Sequence, residues 1–294
     1  MASRRGVALR IAAVAYIVVV YAVLYRLYPS AFRLTAPLPL VAAAALLLTA
    51  AEVVRGVRLA LLYRSVGGST TLRGGVEARF AGNIVALLTP SVAGGEVVRG
   101  LVLHGAVESR AAPAIGVAAV DGGLDLIGNY TLALLAAALH SAPAAPLPEL
   151  LAAAPFAAWV AGLLLVTSGW FARIASRIAA RLEGRRLLGR ISSWVAELEK
   201  LHIPPRVALT ALAATFAAWG LQVASYWLLS GCAPTYSAGC VAELLLMGVI
   251  PTPGGVGPGE ALLAPLCPGI ASWRIVYIAA STLPGVPVFL AGLR

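Results

Sequence analysis

The chain has 294 residues, 60% of them hydrophobic and 12% charged, with a formal net charge of +10 and a mean hydropathy of +0.90. That balance is too apolar to wrap a core in a polar shell, which excludes an ordinary soluble domain and predicts a polytopic all-α integral membrane protein. The positive charge is therefore read by its position along the chain, and no nucleic-acid partner is expected.

Six apolar runs approach or exceed the ~20 residues that cross a bilayer core. They lie at about Val7 to Leu27, Leu38 to Tyr63, Pro113 to His140, Leu151 to Phe171, Val207 to Ser230 and Trp273 to Leu293. Two further apolar stretches, about Val76 to Leu103 and Ala238 to Leu266, are each interrupted by a Pro/Gly-rich break that ends in a glutamate. The breaks read Thr89-Pro90-Ser91-Val92-Ala93-Gly94-Gly95-Glu96 and Thr252-Pro253-Gly254-Gly255-Val256-Gly257-Pro258-Gly259-Glu260. Broken backbone exposes N–H and C=O groups that hydrocarbon cannot satisfy, so it is tolerated at membrane depth only beneath protein or beside water. Both stretches are read as re-entrant hairpins; eight full crossings are the alternative.

With six crossings, Arg4, Arg5, Arg10, Arg64, Arg73, Arg110 and the basic segment from Arg173 to Arg206 share one face. Arg26, Arg33, Glu149 and Arg274 are left as loop or near-loop charges on the other. The positive-inside bias makes the crowded face cytoplasmic, with both termini inside a cell membrane. Residues 1–140 and 151–294 then form two halves of one membrane domain. Each half crosses three times, so the second copy starts from the opposite side and the repeat is inverted, an arrangement that places substrate between broken helices. It serves a secondary transporter of a small solute or ion, the alternative reading, as well as a lipid transporter. Residues 171–201 are different: apolar residues at three- and four-residue steps oppose a basic face, predicting a cytoplasmic amphipathic helix, interrupted near Gly184, at headgroup level.

Glu96 and Glu260 lead the candidate residues. Each stands where a half-helix should begin, with Ser91 or Gly94 and Gly257 with Pro258 as cap and first-turn residues. A first-turn carboxylate gains about 0.3–1 kcal/mol from the helix dipole, whereas an acid in a membrane helix centre costs about 2.5–3.5 kcal/mol, which favours a functional role. Arg99, three residues after Glu96, can pair with it on one helix face. Arg79 and Arg99 are the expected phosphate contacts. Asp121, Asp125 and Asn129, at four-residue steps, share one face of the third run. Glu52 and Arg55 are expected to form a buried pair, and Arg58 to snorkel to the cytoplasmic interface. Asn83, Trp219, Gln222 and Tyr226 suit interhelical hydrogen bonds.

Cys232 and Cys240 fall together in an outer loop, where a disulfide is conceivable but not deducible. Three scattered cysteines and three scattered histidines give no metal-ligand spacing, so neither a metal nor a cofactor is expected. No nucleophile and base stand together, so no enzymatic role is expected.

The block from Asn83 to Arg99, the acids Asp121 and Asp125, and Pro251-Thr252-Pro253-Gly254-Gly255-Val256-Gly257 leading to Glu260 together resemble the lysylphosphatidylglycerol synthase transmembrane region, a family also described as flippase-like. The resemblance covers most of the chain. It implies movement of a lipid between leaflets, either aminoacylated phosphatidylglycerol or a polyprenyl-phosphate-linked lipid, without the synthase activity of a soluble transferase domain. The residues themselves set the expected substrate site at Arg79, Asn83, Ser91, Glu96, Arg99, Asp121, Asp125 and Glu260, with Pro90, Gly94, Gly95, Pro253, Gly254, Gly255 and Gly257 shaping the breaks. Two departures stand out. Asp121-Gly122-Gly123-Leu124-Asp125 lacks the arginine of the family's Glu-Arg-x-x-Asp, and no arginine lies between Val276 and Leu290.

Overall fold

A computed structural model describes residues 4–33, 36–89, 93–104, 112–139, 141–144, 147–182 and 201–292. Every regular element among them is helical. Helices α1 (Arg4–Leu27) and α2 (Leu38–Ser65) are followed by α3 (Leu72–Leu88), α4 (Ala93–His104) and α5 (Ala112–Ala138). Next come α6 (Leu147–Thr167), α7 (Trp170–Leu182) and α8 (Pro205–Ser230). The chain closes with α9 (Pro234–Leu246), α10 (Pro258–Leu263), α11 (Ile270–Thr282) and α12 (Val286–Gly292).

Proline and glycine set many of these boundaries. Helices α2, α8, α9 and α10 carry proline in their first turn, where the missing N–H has no intrahelical partner to lose. Helix α8 stops at Gly231, whose φ of 66° is left-handed and whose N–H returns to Trp227 O, a glycine stop. Among the described residues, α2 and α8 are both long and apolar enough to cross a membrane. Valines and leucines such as Val18, Val19, Leu46, Leu164 and Leu209 are exposed on the outside of the bundle, as a lipid-facing surface requires.

The first broken stretch is a tight pair of antiparallel helices. Gly95 in the first turn of α4 lies so close to α3 that a Cβ there would sit 2.8 Å from Gly82 O. The second stretch starts earlier than the sequence indicates, at Pro234, and its return limb α10 has only 6 residues. Between the limbs, residues 250–257 form a loop in which Gly254, Gly255 and Gly257 have φ of 63°, 64° and 118°, conformations costly to a residue with a side chain. The second break reaches the end of α3: Leu87 packs where a Cβ on Gly254 would stand.

Cys240 of α9 is bonded to Cys267, and Cys232, the other cysteine of the expected outer loop, is free. Sequence spacing could not anticipate this, because Cys267 comes beside Cys240 only once the hairpin has closed. The amphipathic helix is present as α7, while residues 183–200, including the interruption expected near Gly184, lie outside the described residues.

Two large apolar clusters and a small one at Ala133, Ala242 and Leu246 fill the bundle. Of the large two, one joins Leu48, Tyr226, Leu244, Cys267 and Trp273. The other joins Leu59, Tyr63, Leu103, Val117 and Ile203. On α2 the two clusters are separated by Glu52, Arg55 and Arg58, so a polar layer lies between two apolar ones. At one end of the bundle Tyr226 donates to Pro268 O (2.8 Å) and Ser272 to Phe32 O (2.9 Å). At the other, the Tyr63 hydroxyl meets His104 Nδ1 at 3.3 Å.

Candidate substrate site

The polar layer is built from α2, α3, α5 and α8. Three-residue steps on α2 turn Glu52, Arg55 and Arg58 inward together, and all three are buried. Arg58, expected to snorkel, does not reach the interface. Its Nε donates to Asp121 Oδ1 at 2.7 Å, its Nη1 to Asp125 Oδ1 at 2.9 Å and to Thr215 Oγ1, and its Nη2 to Asp121 O. The four-residue step between Asp121 and Asp125 on α5 presents two carboxylates to it. That ligation outweighs the reach of the stem to water, because a buried guanidinium is tolerated only when its donors are met.

Arg55 spans the layer. Its Nη1 donates to Glu52 (2.8 Å), its Nε to Asp125 (3.0 Å) and its Nη2 to Gln222 (2.8 Å), while its guanidinium stacks 5.3 Å from the Trp219 ring. Arg79, from α3, donates to Glu52 Oε2 (2.8 Å) and Asp121 Oδ2 (3.1 Å) and pairs with Asp125 Oδ2 (2.9 Å). Arg58 and Arg79, from α2 and α3, thus supply the cations about Asp121 and Asp125.

The layer extends into the first hairpin through Asn83. Its amide donates to Glu52 Oε2 (2.9 Å) and Ser281 O (3.1 Å) and accepts from Arg99 Nη2 (2.7 Å). Arg99 in turn donates to Glu96 Oε1 at 2.6 Å. Glu96 leans on Gly122, where a Cβ would sit 2.7 Å from Oε1. Here the satisfaction becomes incomplete: Glu96 Oε2 and Arg99 Nε are buried without a hydrogen-bond partner.

Glu260 sits apart from this layer. As the third residue of α10 its Oε2 accepts the Gly257 N–H at 2.8 Å, and its Oε1 receives the Tyr21 hydroxyl at 3.4 Å. Its cation is Arg274, with Nε 3.6 Å from Oε1. Sequence reasoning assigned Arg274 to the outer surface, but it is buried on α11. A last apolar run starting at Trp273 leaves Arg274 near its outer end, whereas the helix already begins at Ile270. Arg274 Nη2 donates to Gly254 O of the break (2.8 Å), and its guanidinium lies 5.0 Å from the Tyr277 ring. Its Nε and Nη1 have no hydrogen-bond partner, and neither has Thr252 Oγ1 in the same loop.

The expected site residues are therefore gathered in two groups. Arg79, Asn83, Glu96, Arg99, Asp121 and Asp125 are linked with Glu52, Arg55 and Arg58, residues whose importance the sequence signalled only by spacing. Glu260 stands with Arg274 and Tyr21. Asn129, with its amide oriented to donate to Ala242 O and accept the Leu246 N–H at 3.1 Å each, ties α5 to α9 instead. Gly94 and Gly95 lie in the first turn of α4; Pro253, Gly254, Gly255 and Gly257 lie in the second break; Pro90 and Ser91 fall outside the described residues. Among the described residues no cluster of His, Cys, Asp and Glu has the makings of a metal site.

The linked groups balance. Arg55, Arg58, Arg79 and Arg99 face Glu52, Glu96, Asp121 and Asp125, and Arg274 faces Glu260, so both groups are formally neutral. No curated protein and no solved structure matches the chain. A family model does, over residues 7–280, nearly the whole chain and every group just described, and the protein belongs to that family, the lysylphosphatidylglycerol synthase TM region.

Proposed function

We propose that the protein moves a phosphate-headgroup lipid between the leaflets of the cell membrane, acting as a transporter and not as an enzyme. Family membership supports a membrane lipid-related function. The observation that carries the finer reading is that each break brings a glutamate and an arginine together with buried polar atoms left over: Glu96 Oε2 and Arg99 Nε at the first, Arg274 Nε and Nη1 at the second. Unmet buried polar groups are costly, and a headgroup with phosphate for a guanidinium and an ammonium for a carboxylate meets both kinds. An aminoacylated phospholipid has both; a polyprenyl-phosphate-linked lipid supplies the phosphate.

On this reading the α3–α4 and α9–α10 pairs are re-entrant hairpins of an inverted repeat, entering from opposite faces, and the termini are cytoplasmic. The Cys240–Cys267 bond agrees with that orientation, since disulfides persist on the oxidising side of a membrane. Lipid tails stay in the bilayer while the headgroup passes between the two Glu–Arg pairs.

The test compares lipids retained by the purified wild-type protein with those of Arg99→Ala, Arg274→Gln and Glu260→Gln, followed by leaflet crossing of a headgroup-labelled lipid in proteoliposomes. One headgroup class enriched in wild type, and retention and crossing both lost in the variants, is the expected result. A Glu260→Gln protein that carries lipid at the wild-type rate ends this mechanism.

A further inference from the structure

A cavity of about 240 Å³ lies on the side of α5 away from the polar layer, between α5, α6 and α7. Ile115 and Ile127 of α5, Trp159 and Leu163 of α6, Phe171 of α7 and Leu201 line it, with almost no polar surface. Glycine opens the space: Gly116, Gly123 and Gly162 all face it. A Cβ added to Gly162 would meet nothing within 4 Å, whereas one on Gly123 would collide with the Trp159 ring. The opening at Gly162 is thus true free volume, while Gly123 is closed by packing.

Such a space is too small for the ~300–1,000 Å³ pockets that enclose a whole drug-sized ligand. It is too apolar to hold water, which needs polar partners. Left empty, its walls forfeit dispersion contacts. In a membrane the surrounding solvent is hydrocarbon, which has the right chemistry and an extended shape.

Helix α7 says which lipid. Phe171 forms part of the cavity wall, and within two turns of it Arg173 and Arg177 are exposed beside exposed Ile174 and Ile178. The Arg173 guanidinium stacks 5.2 Å from the Trp170 ring. An apolar stripe beside an arginine row lies in the headgroup layer and attracts anionic lipid.

The geometry points to a hydrocarbon-chain site: the cavity between α5, α6 and α7 holds one chain of an anionic lipid whose headgroup is met by Arg173 and Arg177. This site is separated by the body of α5 from Asp121, Gly122 and Glu96 of the polar layer. It rests on the membrane location of the chain and not on transport, so it stands or falls separately from the transport reading.

The experiment uses the full chain in lipid nanodiscs doped with phosphatidylglycerol or phosphatidylcholine bearing a photoreactive diazirine in one acyl chain, with adducts mapped by peptide mass spectrometry. In the wild type the phosphatidylglycerol probe labels the Trp159 to Leu163 region more than the phosphatidylcholine probe does. Gly162→Phe fills the cavity and abolishes that labelling, while labelling of the lipid-facing Val18 and Val19 on α1 is unchanged. Gly162→Leu is the smaller filler should the phenylalanine variant not fold. Arg173→Gln with Arg177→Gln removes the preference for phosphatidylglycerol. Cavity labelling that survives a folded filling variant overturns the chain site. Equal labelling by the two wild-type probes overturns the anionic headgroup.

Discussion

The two broken stretches are held by different means. In the first, bare backbone at Gly82 and Gly95 lets the helices touch, and the side chains of Asn83 and Arg99 tie them into a layer of matched charges. The second is held by a covalent bond and by backbone: the Cys240–Cys267 disulfide, three left-handed glycines and the Glu260 carboxylate on the Gly257 N–H. Its arginine, Arg274, keeps donors in reserve, whereas Arg79 and Arg58 are spent on carboxylates. The difference teaches where a substitution should be felt as instability and where as lost activity.

The sharpest way to break the comparison is Arg79→Met. It leaves Asp121 Oδ2 and Asp125 Oδ2 without their cation and the layer with one excess negative charge, and uncompensated buried charge typically costs about 3–5 kcal/mol. The folded, monodisperse fraction in detergent should fall steeply; a melting temperature near that of wild type would mean that water reaches the layer. Next is Cys240→Ala with Cys267→Ala, expected to lower stability by about 2–4 kcal/mol and to be matched by thiol reduction of the wild type. A melting temperature indifferent to reductant would show that backbone alone holds the second stretch.

Glu260→Gln should be milder for stability, about 1–3 kcal/mol, since the glutamine oxygen still accepts the Gly257 N–H at the helix start while buried Arg274 loses its carboxylate. Paired with its predicted loss of transport, it separates activity from folding, and a large drop in melting temperature would place Glu260 with Arg79 as a structural group. The smallest effect is expected from Arg73→Ala. Its 2.7 Å bond to Glu77 is an exposed i,i+4 pair, worth about 0.3–0.5 kcal/mol, and thermal melting in low and high salt should barely distinguish the proteins.

Much of the helical pattern was legible because bilayer-length apolar runs leave few alternatives: α2 begins at Leu38 and α8 ends at Ser230, as expected from the runs. The partners of the charges were not legible. Glu52 and Arg55 were readable as a pair because they are one turn apart. The ligands of Arg58, at Asp121, Asp125 and Thr215, lie on helices whose approach no local spacing reveals. An apolar run starting at Trp273 makes Arg274 a near-loop charge, whereas the helix starts at Ile270 and carries Arg274 inward. The start of α9 was missed for a related reason, since Pro234, Thr235 and Ser237 look like connector chemistry although proline suits a first helical turn.

The neutrality of the polar layer has an electrical consequence. On the proposed transport reading, a layer that keeps guanidinium matched to carboxylate adds no net charge of its own to the cycle, so the charge displaced across the membrane would be that of the cargo. One elementary charge crossing 100 mV is worth about 2.3 kcal/mol. A zwitterionic headgroup should therefore cross at a rate indifferent to an imposed potential, whereas a singly anionic one should be driven toward the positive side, and patch or vesicle currents would tell the two kinds of cargo apart before either is chemically identified.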